Sequence, residues 1–528
     1  MRNSTIASAV AAAIAAAAAS SAFAYTGEPA AQTSAAAVVA ANVFYMGGSS
    51  AAVAGIGAGI GADFCSNGSG GTNLITFQTI PAKQPVGFNT TSPFTNQGTP
   101  DFRAFYCPSV THAGLNVTGQ AILIYYRADG GSVVGAYGAL NNAMINELDL
   151  TKAWCTADST SATNTTYDCA TSNNTPTTGS PPAGTQLIIG TNQGASQVGT
   201  TDGYTGAVQR VPLQVGVSDE EPGAYGNGTG SPKWAGGGHN DPVKSGLAAP
   251  YPYTFLGADA SSATLQAMPH TLFAQQSFGF MASTALGITD ITTAQARGIM
   301  NGNITDWGMV HNASGTNVAP AGTPIALCNR DLGSGTRTGA DVIFEADGCN
   351  PYGNQSSLVD GAPNAPGPLS DNFSTPDEIL CVNNNAAGTA FGYQSIDNNS
   401  KLGTGKTYPG ATALTLDGRT ASNLLSARGG WSYAVESSIQ PATGGYAGGS
   451  ATNAANFFAF FIPNLGNLAD APQASQMNAL PTFNNNNANS AGAALQKTGS
   501  TPVYVSDVLR TSDSKGNSCN DFYSTVVE

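Results

Sequence analysis

The stretch that decides the fold is Pro324-Ile325-Ala326-Leu327-Cys328, followed by Asn329-Arg330-Asp331-Leu332-Gly333-Ser334-Gly335-Thr336. The apolar run predicts a strand over 324–328, Asn329 to Gly335 a turn, and the residues over 336–346 a helix. A helix N-terminus carries free N–H groups and a partial positive charge, so it attracts anions. Arg330 adds a planar, bidentate donor fork that suits a tetrahedral oxyanion. Taken alone, the motif fits equally well an N-cap serine beside an arginine in a surface ion pair.

Two earlier junctions repeat this strand, glycine-serine turn and helix. Val43 to Met46 predicts a strand, Gly47-Gly48-Ser49-Ser50 a turn, and 51–62 a helix. The strand predicted over 121–126 is followed by Gly130-Gly131-Ser132 and a helix over 134–148. Further predictions are a third strand over 211–217 that runs into Ser218-Asp219, a strand over 275–285, a helix over 292–300, a strand over 390–395 and a helix over 453–461. Alternating strands and helices predict an α/β fold with a mostly parallel sheet and flanking helices.

The start of the chain has the pattern of a secretory signal peptide. Arg2 precedes an apolar run from Ile6 to Ala19, and Ala22-Phe23-Ala24 is a cleavage signal. A membrane anchor is the alternative, but the run is shorter than the roughly 20 residues that a spanning helix needs. The sequence therefore predicts a periplasmic or secreted protein without a membrane span. Residues 1–24 are expected to be the cleaved signal peptide, and 25–41 a mobile lead-in.

The eight cysteines are an even number in an exported chain, and they predict disulfides. Nearest-neighbour pairing favours Cys155–Cys169 and Cys328–Cys349, which close short loops, and less strongly Cys65–Cys107 and Cys381–Cys519. A zinc cluster is the rival interpretation, but no C-x₂₋₄-C pair occurs, so no metal site is expected.

The charge and the residue types exclude several functions. A net charge of −14 with only 18 Lys+Arg argues against a nucleic-acid partner. An acidic protein that binds an anion must use local hydrogen-bond donors and one or two fixed cations. No nucleophile–base pair, catalytic metal set or G-x-S-x-G elbow can be found, so neither an enzyme nor a cofactor is predicted. A low charged fraction of 9% suits exported proteins with long polar loops, and equally surface filaments and adhesins.

The segments described above resemble the periplasmic phosphate-binding proteins of ABC transporters, over residues 43 to about 465. The R-x-x-G-S-G-T pattern at Arg330 to Thr336 is similar to the phosphate-binding signature of that family, and Gly302-Asn303-Ile304-Thr305-Asp306-Trp307 resembles a second family segment. Weaker similarities are Gly47 to Ala51, Gly130-Gly131-Ser132, Gly216-Val217-Ser218-Asp219 and Ala390-Phe391-Gly392-Tyr393. The resemblance implies the type II periplasmic binding fold, in which two α/β lobes close on one ion.

The resemblance also implies roles for individual residues. Arg330 is the fixed cation, and the donors are Ser50, Ala51, Ser132, Ser218, Ser334, Gly335 and Thr336. Asp219 is implied to accept the proton of protonated phosphate, which ionised sulfate lacks, so the carboxylate rejects sulfate. Without the resemblance, Asp219 beside Glu220 and Glu221 is better explained as a helix cap or a solvated loop acid. The acid that the family often places just before G-S-G-T is replaced here by Leu332.

About 500 mature residues suffice for two compact units. The expected division is lobe I over 42–235, lobe II over 236–425, and 426–528 as a return to lobe I with a C-terminal tail. Extra length is expected in polar insertions at roughly 66–118, 151–205 and 220–250. The ligand is expected to be inorganic phosphate, with arsenate as a near-isostere, and an ABC permease is left open as a partner. The alternative is a secreted or cell-surface structural protein that reuses the fold without transport.

Overall fold

The structure is a computed structural model, and it describes most of the chain between residues 29 and 465. The described ranges are 29–66, 72–80, 102–128, 131–158, 165–171, 181–189, 204–225, 256–258, 260–300, 302–330, 334–344, 369–372, 375–422, 425–426, 431, 433–446 and 451–465. The predicted signal peptide and C-terminal tail lie outside these ranges.

The described residues form both strands and α-helices. The strands are β1 Val43–Gly48, β2 Ile75–Thr79, β3 Phe102–Cys107, β4 Ile122–Arg127, β5 Met144–Leu148, β6 Cys155–Ala157, β7 Thr166–Cys169, β8 Ile188–Ile189, β9 Thr205–Gly206, β10 Val208–Pro212, β11 Val215–Ser218, β12 Thr271–Ser283, β13 Asp290–Ile291, β14 Ala326–Arg330, β15 Leu369–Asn372, β16 Ala390–Ser395, β17 Ala411–Ala413, β18 Thr415–Leu416 and β19 Ala434–Pro441. The α-helices are α1 Ala30–Ala36, α2 Val53–Asp63, α3 Ser132–Asn141, α4 Ser262–Gln266, α5 Thr293–Met300, α6 Gly335–Phe344, α7 Thr375–Asn383 and α8 Ala451–Leu465.

The main strands follow one another in the order β15-β14-β16-β12-β19-β11-β1-β4-β3-β2-β7-β6. Two groups within this order are parallel: β11-β1-β4 on one side and β16-β14-β15 on the other. The long strands β12 and β19 join them by antiparallel pairing, and β2-β3-β4 and β6-β7 are linked antiparallel as well. The fold is thus mixed α/β, and the expectation of a mostly parallel sheet was wrong. The antiparallel pairs are of two kinds: β3–β4 and β6–β7 join strands that are close along the chain, whereas β12 and β19 pair with strands that are distant along it.

Each parallel group is covered by helices on both faces, as the alternation of its side chains requires. In β1, Phe44 and Met46 enter a core with α2 and α8, while Val43 contributes to a core on the opposite face. In β14, Leu327 packs with α5 and α6, while Ala326 and Cys328 pack with α7. The side chain of Arg330 follows the parity of Ala326 and Cys328 and therefore lies on the α7 face.

Several predicted elements are confirmed with small shifts of their ends, but three segments differ from the predictions. The helix predicted over 134–148 ends at Asn141, because Asn142 adopts the left-handed conformation at φ 50°. The residues from Met144 to Leu148 instead form β5, paired antiparallel with β10. The strand predicted over 211–217 is divided into β10 and β11. Residues 30–36, expected in a mobile lead-in, form α1, and buried Gln32 donates to the carbonyls of Leu150 and Ala153 at 2.9 and 2.7 Å.

The disulfides confirm two of the four expected pairs. Cys65–Cys107 and Cys155–Cys169 are present. The expected Cys328–Cys349 pair was wrong, since Cys328 of β14 is bonded to Cys381 of α7 with a Cα–Cα distance of 5.9 Å. The same bond rules out Cys381–Cys519. Nearest-neighbour pairing failed because α7 packs directly on β14, although 53 residues separate the two cysteines.

Two of the three expected insertions contribute to the sheet, and most of the third, roughly 220–250, lies outside the described residues. Residues within 66–118 supply β2 and β3, and residues within 151–205 supply β6 and β7, so together they extend the sheet beyond β4. No helix in the described ranges is long and apolar enough to cross a membrane.

Candidate functional site

Three segments with polar residues meet beyond the carboxyl ends of β11, β1 and β4. Because these three strands are adjacent and parallel, the residues that follow them share one edge of the sheet. Ser49 follows β1, Ser132 begins α3 after β4, and Asp219 follows β11. All three are buried. Gly48, with φ at 132°, makes the turn that brings Ser49 beneath the end of β11, where the Ser49 N–H donates to the carbonyl of Val217 at 2.8 Å.

Asp219 is held by two serines from the neighbouring turns. The hydroxyl of Ser49 donates to Asp219 Oδ1 and also accepts the Ala52 N–H at 3.0 Å, at the start of α2. The backbone N–H of Asp219 donates to Ser132 Oγ at 3.0 Å, and the Ser218 hydroxyl donates to the Ser132 carbonyl at 2.9 Å. These bonds fix the carboxylate at one position, only 4% exposed. The alternative of a solvated loop acid is contradicted, since Glu220 and Glu221 are buried too.

Gly335, the first residue of α6, lies directly against this cluster. A Cβ placed on Gly335 would lie 2.6 Å from Asp219 Oδ2 and 2.7 Å from Ser132 Oγ, so only glycine fits at this position. Ser334 caps α6, with its carbonyl accepting the Thr338 N–H at 3.0 Å and its hydroxyl 3.4 Å from the Arg337 N–H. The start of α6 therefore faces the buried carboxylate of Asp219.

Two buried arginines lie beside the start of α6. Arg330, 4% exposed at the end of β14, donates from Nη1 to Thr375 Oγ1 at 2.9 Å and lies 3.5 Å from Thr336 Oγ1. Its backbone N–H donates to the Tyr393 hydroxyl at 3.2 Å. Arg337 of α6, 2% exposed, donates from Nη1 to the Arg330 carbonyl at 2.8 Å. Hydrogen bonds on the side chain and on both backbone groups thus hold Arg330.

A second buried carboxyl, Glu378, approaches Arg330 from α7. Its Oε1 accepts the Tyr393 N–H at 2.8 Å, and its side chain is fully buried. Glu378 lies one helical turn after Thr375, so both residues share one face of α7. The Cys328–Cys381 bond fastens this helix to the strand that carries Arg330.

Burial and nearby positive charge shift the pKa of each carboxyl in opposite directions. Desolvation raises the pKa of Asp219, while hydrogen bonds from Ser49 and Ser132 and the charge of Arg330 oppose the rise. Desolvation raises the pKa of Glu378 well above its usual range, against the charge of Arg330, the Tyr393 N–H and the charge of Arg337. Arg330 is therefore the cation that both acids share.

The structure brings together most of the residues singled out from the sequence. Ser132, Ser218, Asp219 and Gly335 are in contact, Arg330 and Thr336 stand beside them, and Ser334 caps the adjoining helix. Ser50 and Ala51 are half-buried on the first turn, and the hydroxyl that reaches Asp219 belongs to Ser49 instead. Ser49 was visible in the glycine-serine motif.

Sequence reasoning missed Arg337, Thr375 and Glu378. Thr375 and Glu378 had no local signal, since they are far from the motif along the chain. Within the described ranges no group of three or more histidine, cysteine or acidic side chains could hold a metal ion.

No family model matches the chain, and no curated protein matches it. Solved structures resemble parts of it. One is a phosphate ABC transporter substrate-binding protein with bound phosphate from Clostridium perfringens, at 17% identity and a TM-score of 0.28 over 39% of this chain and 73% of that one. Another is a phosphate-binding protein from Stenotrophomonas maltophilia, at 13% identity and 0.31 over 51% and 75%. A third is a DING protein, at 12% identity and 0.32 over 52% and 76%. Scores this low establish neither the ligand of this chain nor its division into lobes.

Proposed function

We propose that this chain binds a small tetrahedral oxyanion, inorganic phosphate above all, where the start of α6 meets the residues that follow β11, β1 and β4. The observation that carries the proposal is the meeting of Asp219, Ser132 and Gly335 beside the buried guanidinium of Arg330. These residues come from distant parts of the chain, and an ordinary N-cap serine would not require them to converge. The two parallel strand groups would be the two lobes, and β12 and β19 the connection between them.

The donors in this place suit an anion without a basic field. The start of α6 offers N–H groups and hydroxyls, and Arg330 offers a guanidinium already fixed by Thr375. Because the donors are in place before binding, little side-chain entropy is lost when the ligand arrives. A chain with a net charge of −14 requires local donors of this kind, because its overall charge does not attract anions.

Asp219 provides discrimination between oxyanions. One of its oxygens accepts from Ser49, whereas Oδ2 lies toward Gly335 and the start of α6. Protonated phosphate has an O–H for that oxygen. Sulfate has none, so its binding would leave a buried carboxylate oxygen facing an anion, which costs at least 1–3 kcal/mol. Arsenate shares the shape and protonation of phosphate and is expected to bind as well.

The biological use that fits this site is phosphate uptake from the periplasm or the medium, with the chain as the exported solute-binding protein and an ABC permease as its partner. The site residues Ser50, Ala51, Ser132, Ser218, Asp219, Arg330, Ser334, Gly335 and Thr336 form the proposed contact set. Ser49 joins them as the residue that orients Asp219.

Calorimetric titration of the mature chain, stripped of bound ion, with phosphate and then sulfate tests the proposal. We expect heat with phosphate and none with sulfate. Arg330→Ala is expected to abolish the phosphate heat, because a buried charge-assisted donor is lost. Asp219→Asn is expected to admit sulfate, because the amide no longer repels an ionised oxygen.

A control is Arg297→Ala, which removes an exposed arginine that donates to the Ile343 carbonyl at 3.2 Å. It is expected to leave phosphate binding unchanged. A folded, stripped wild-type protein that gives no heat with phosphate would sink the assignment and favour a structural or adhesive role for the chain at the cell surface.

A further inference from the structure

Glu378 is an acid in an unusual position for a site that attracts anions. Its side chain is fully buried, and it lies on α7 one turn after Thr375, whose hydroxyl accepts from Arg330 Nη1 at 2.9 Å. One oxygen, Oε1, accepts the Tyr393 N–H at 2.8 Å. The other, Oε2, is buried and has no hydrogen-bond partner among the described residues. Tyr393 also bonds the Arg330 N–H through its hydroxyl, so the acid and the arginine share a support.

The charges that the structure places against Glu378 come from two elements. Arg330 belongs to β14 and Arg337 to α6, and both attract the ionised carboxylate, while Tyr393 of β16 donates to it through its backbone. Burial opposes ionisation more strongly than these groups favour it. The surroundings of Glu378 therefore control whether it is ionised, and its charge interacts with that of Arg330, the cation that the ligand needs.

Building on the proposed oxyanion site, we propose that Glu378 sets the affinity of the site by its protonation state. When ionised, its carboxylate neutralises part of the positive charge of Arg330 and so weakens the attraction of Arg330 for the oxyanion. When protonated, it leaves the full positive charge of Arg330 to attract the ligand. Glu378 is thus a positioning residue that acts through Arg330.

The test compares the phosphate Kd of the full mature wild-type chain and of Glu378→Gln between pH 5 and 9. Glutamine keeps an oxygen for the Tyr393 N–H but cannot ionise. The ratio of the wild-type Kd to the variant Kd cancels the titration of phosphate itself. It is expected to be about one at low pH, where Glu378 is neutral, and to rise to about ten or more at high pH, because the wild type then carries a competing negative charge.

Two further variants separate charge from packing. Glu147→Gln replaces another fully buried acid, on β5, which pairs with β10 outside the main sheet, and its Kd ratio is expected to stay near one at every pH. Glu378→Asp keeps a titratable acid, so its affinity is expected to weaken with rising pH as in the wild type, and it serves as the test if Glu378→Gln does not fold.

A ratio for Glu378→Gln that stays near one throughout, or a variant that binds more weakly than the wild type, would overturn the proposal. So would a Glu378→Asp protein whose affinity does not change with pH when that of the wild type does. If phosphate binds to neither the wild type nor the variants, the proposed oxyanion site falls together with this inference. If phosphate binds and the ratio is flat, only the role of Glu378 falls.

Discussion

Replacing Gly335 by alanine tests whether the start of α6 and Asp219 function as one site. The added Cβ would lie 2.6 Å from Asp219 Oδ2 and 2.7 Å from Ser132 Oγ. It would also lie 2.4 Å from Asp219 Cβ. Carbon–carbon contacts are ordinarily about 3.5–4.0 Å, so either the start of α6 or Asp219 must move by roughly 1 Å or more. In a close-packed interior such a shift is not absorbed locally.

The consequence for stability is expected to be small. Overpacking costs about 1–3 kcal/mol, and alanine regains about 1 kcal/mol over glycine in a helix. We therefore expect the free energy of unfolding to fall by about 2 kcal/mol at most.

The consequence for binding is expected to be large. If the start of α6 is displaced, at least one charge-assisted hydrogen bond to the oxyanion is lost. Such a bond contributes about 1.5–3 kcal/mol. The phosphate Kd should then rise roughly tenfold to a hundredfold. Calorimetric titration measures the Kd, and urea unfolding measures the stability of the same preparation.

Gly279→Ala is the matched control. Its Cβ would lie in β12 at 3.4 Å from Ile396 Cγ2, an ordinary contact with a side chain. This variant is expected to bind phosphate like the wild type. A Gly335→Ala protein that binds phosphate within threefold of the wild type, or a Gly279→Ala protein with an equal loss, would refute the reasoning.

Three further outcomes are expected. The pKa of Asp219 is raised above its ordinary value of 3.8, so between 3.8 and the raised pKa the folded state binds more protons than the unfolded state. The free energy of unfolding should therefore fall as pH rises through this range. Asp219→Asn should lose this part of the pH dependence, which urea unfolding from pH 3 to 8 measures. Replacing both Cys328 and Cys381 by alanine should cost about 4 kcal/mol on the loop-entropy estimate, measured by urea unfolding, and an unchanged midpoint would contradict the bond. Phe457→Ala should cost about 3–5 kcal/mol in thermal or urea unfolding, because its ring is fully buried and stacks on Phe44 at 4.5 Å; a loss below 1 kcal/mol would contradict the packing.

Local signals in the sequence predicted the parts of the site that depend on neighbouring residues. A strand, a glycine-serine turn and a helix are each determined by residues within a few positions, so the junctions at Ser49, Ser132 and Ser334 were recognisable. The stop of α3 at Asn142 was not, because the apolar spacing continues through Met144 to Leu148 and only the pairing with β10 makes that segment a strand. Tertiary pairing overrode the periodicity there.

Long-range pairings explain the other failures. The partner of Cys328 depended on which helix packs on β14, and sequence distance favoured Cys349 over the more distant Cys381. Thr375 and Glu378 escaped notice for the same reason, since their link to Arg330 exists only because α7 covers that face of the sheet. The number of cysteines predicted disulfides, but it carried no information on their connectivity.

The acidic composition of the chain and its proposed anion site agree once charges are counted where they lie. Arg330 lies near both Asp219 and Glu378, and Arg337 lies near Glu378, so these buried acids oppose the two cations whenever they are ionised. In that state the net charge of the cluster provides little attraction for an oxyanion, and affinity must come from oriented donors: the start of α6, the hydroxyls and the fixed guanidinium fork. Short-range donors of this kind are weakly screened by salt. A site of this design can hold an anion inside a protein whose surface repels it, and its buried acids then decide which anion is held and how tightly.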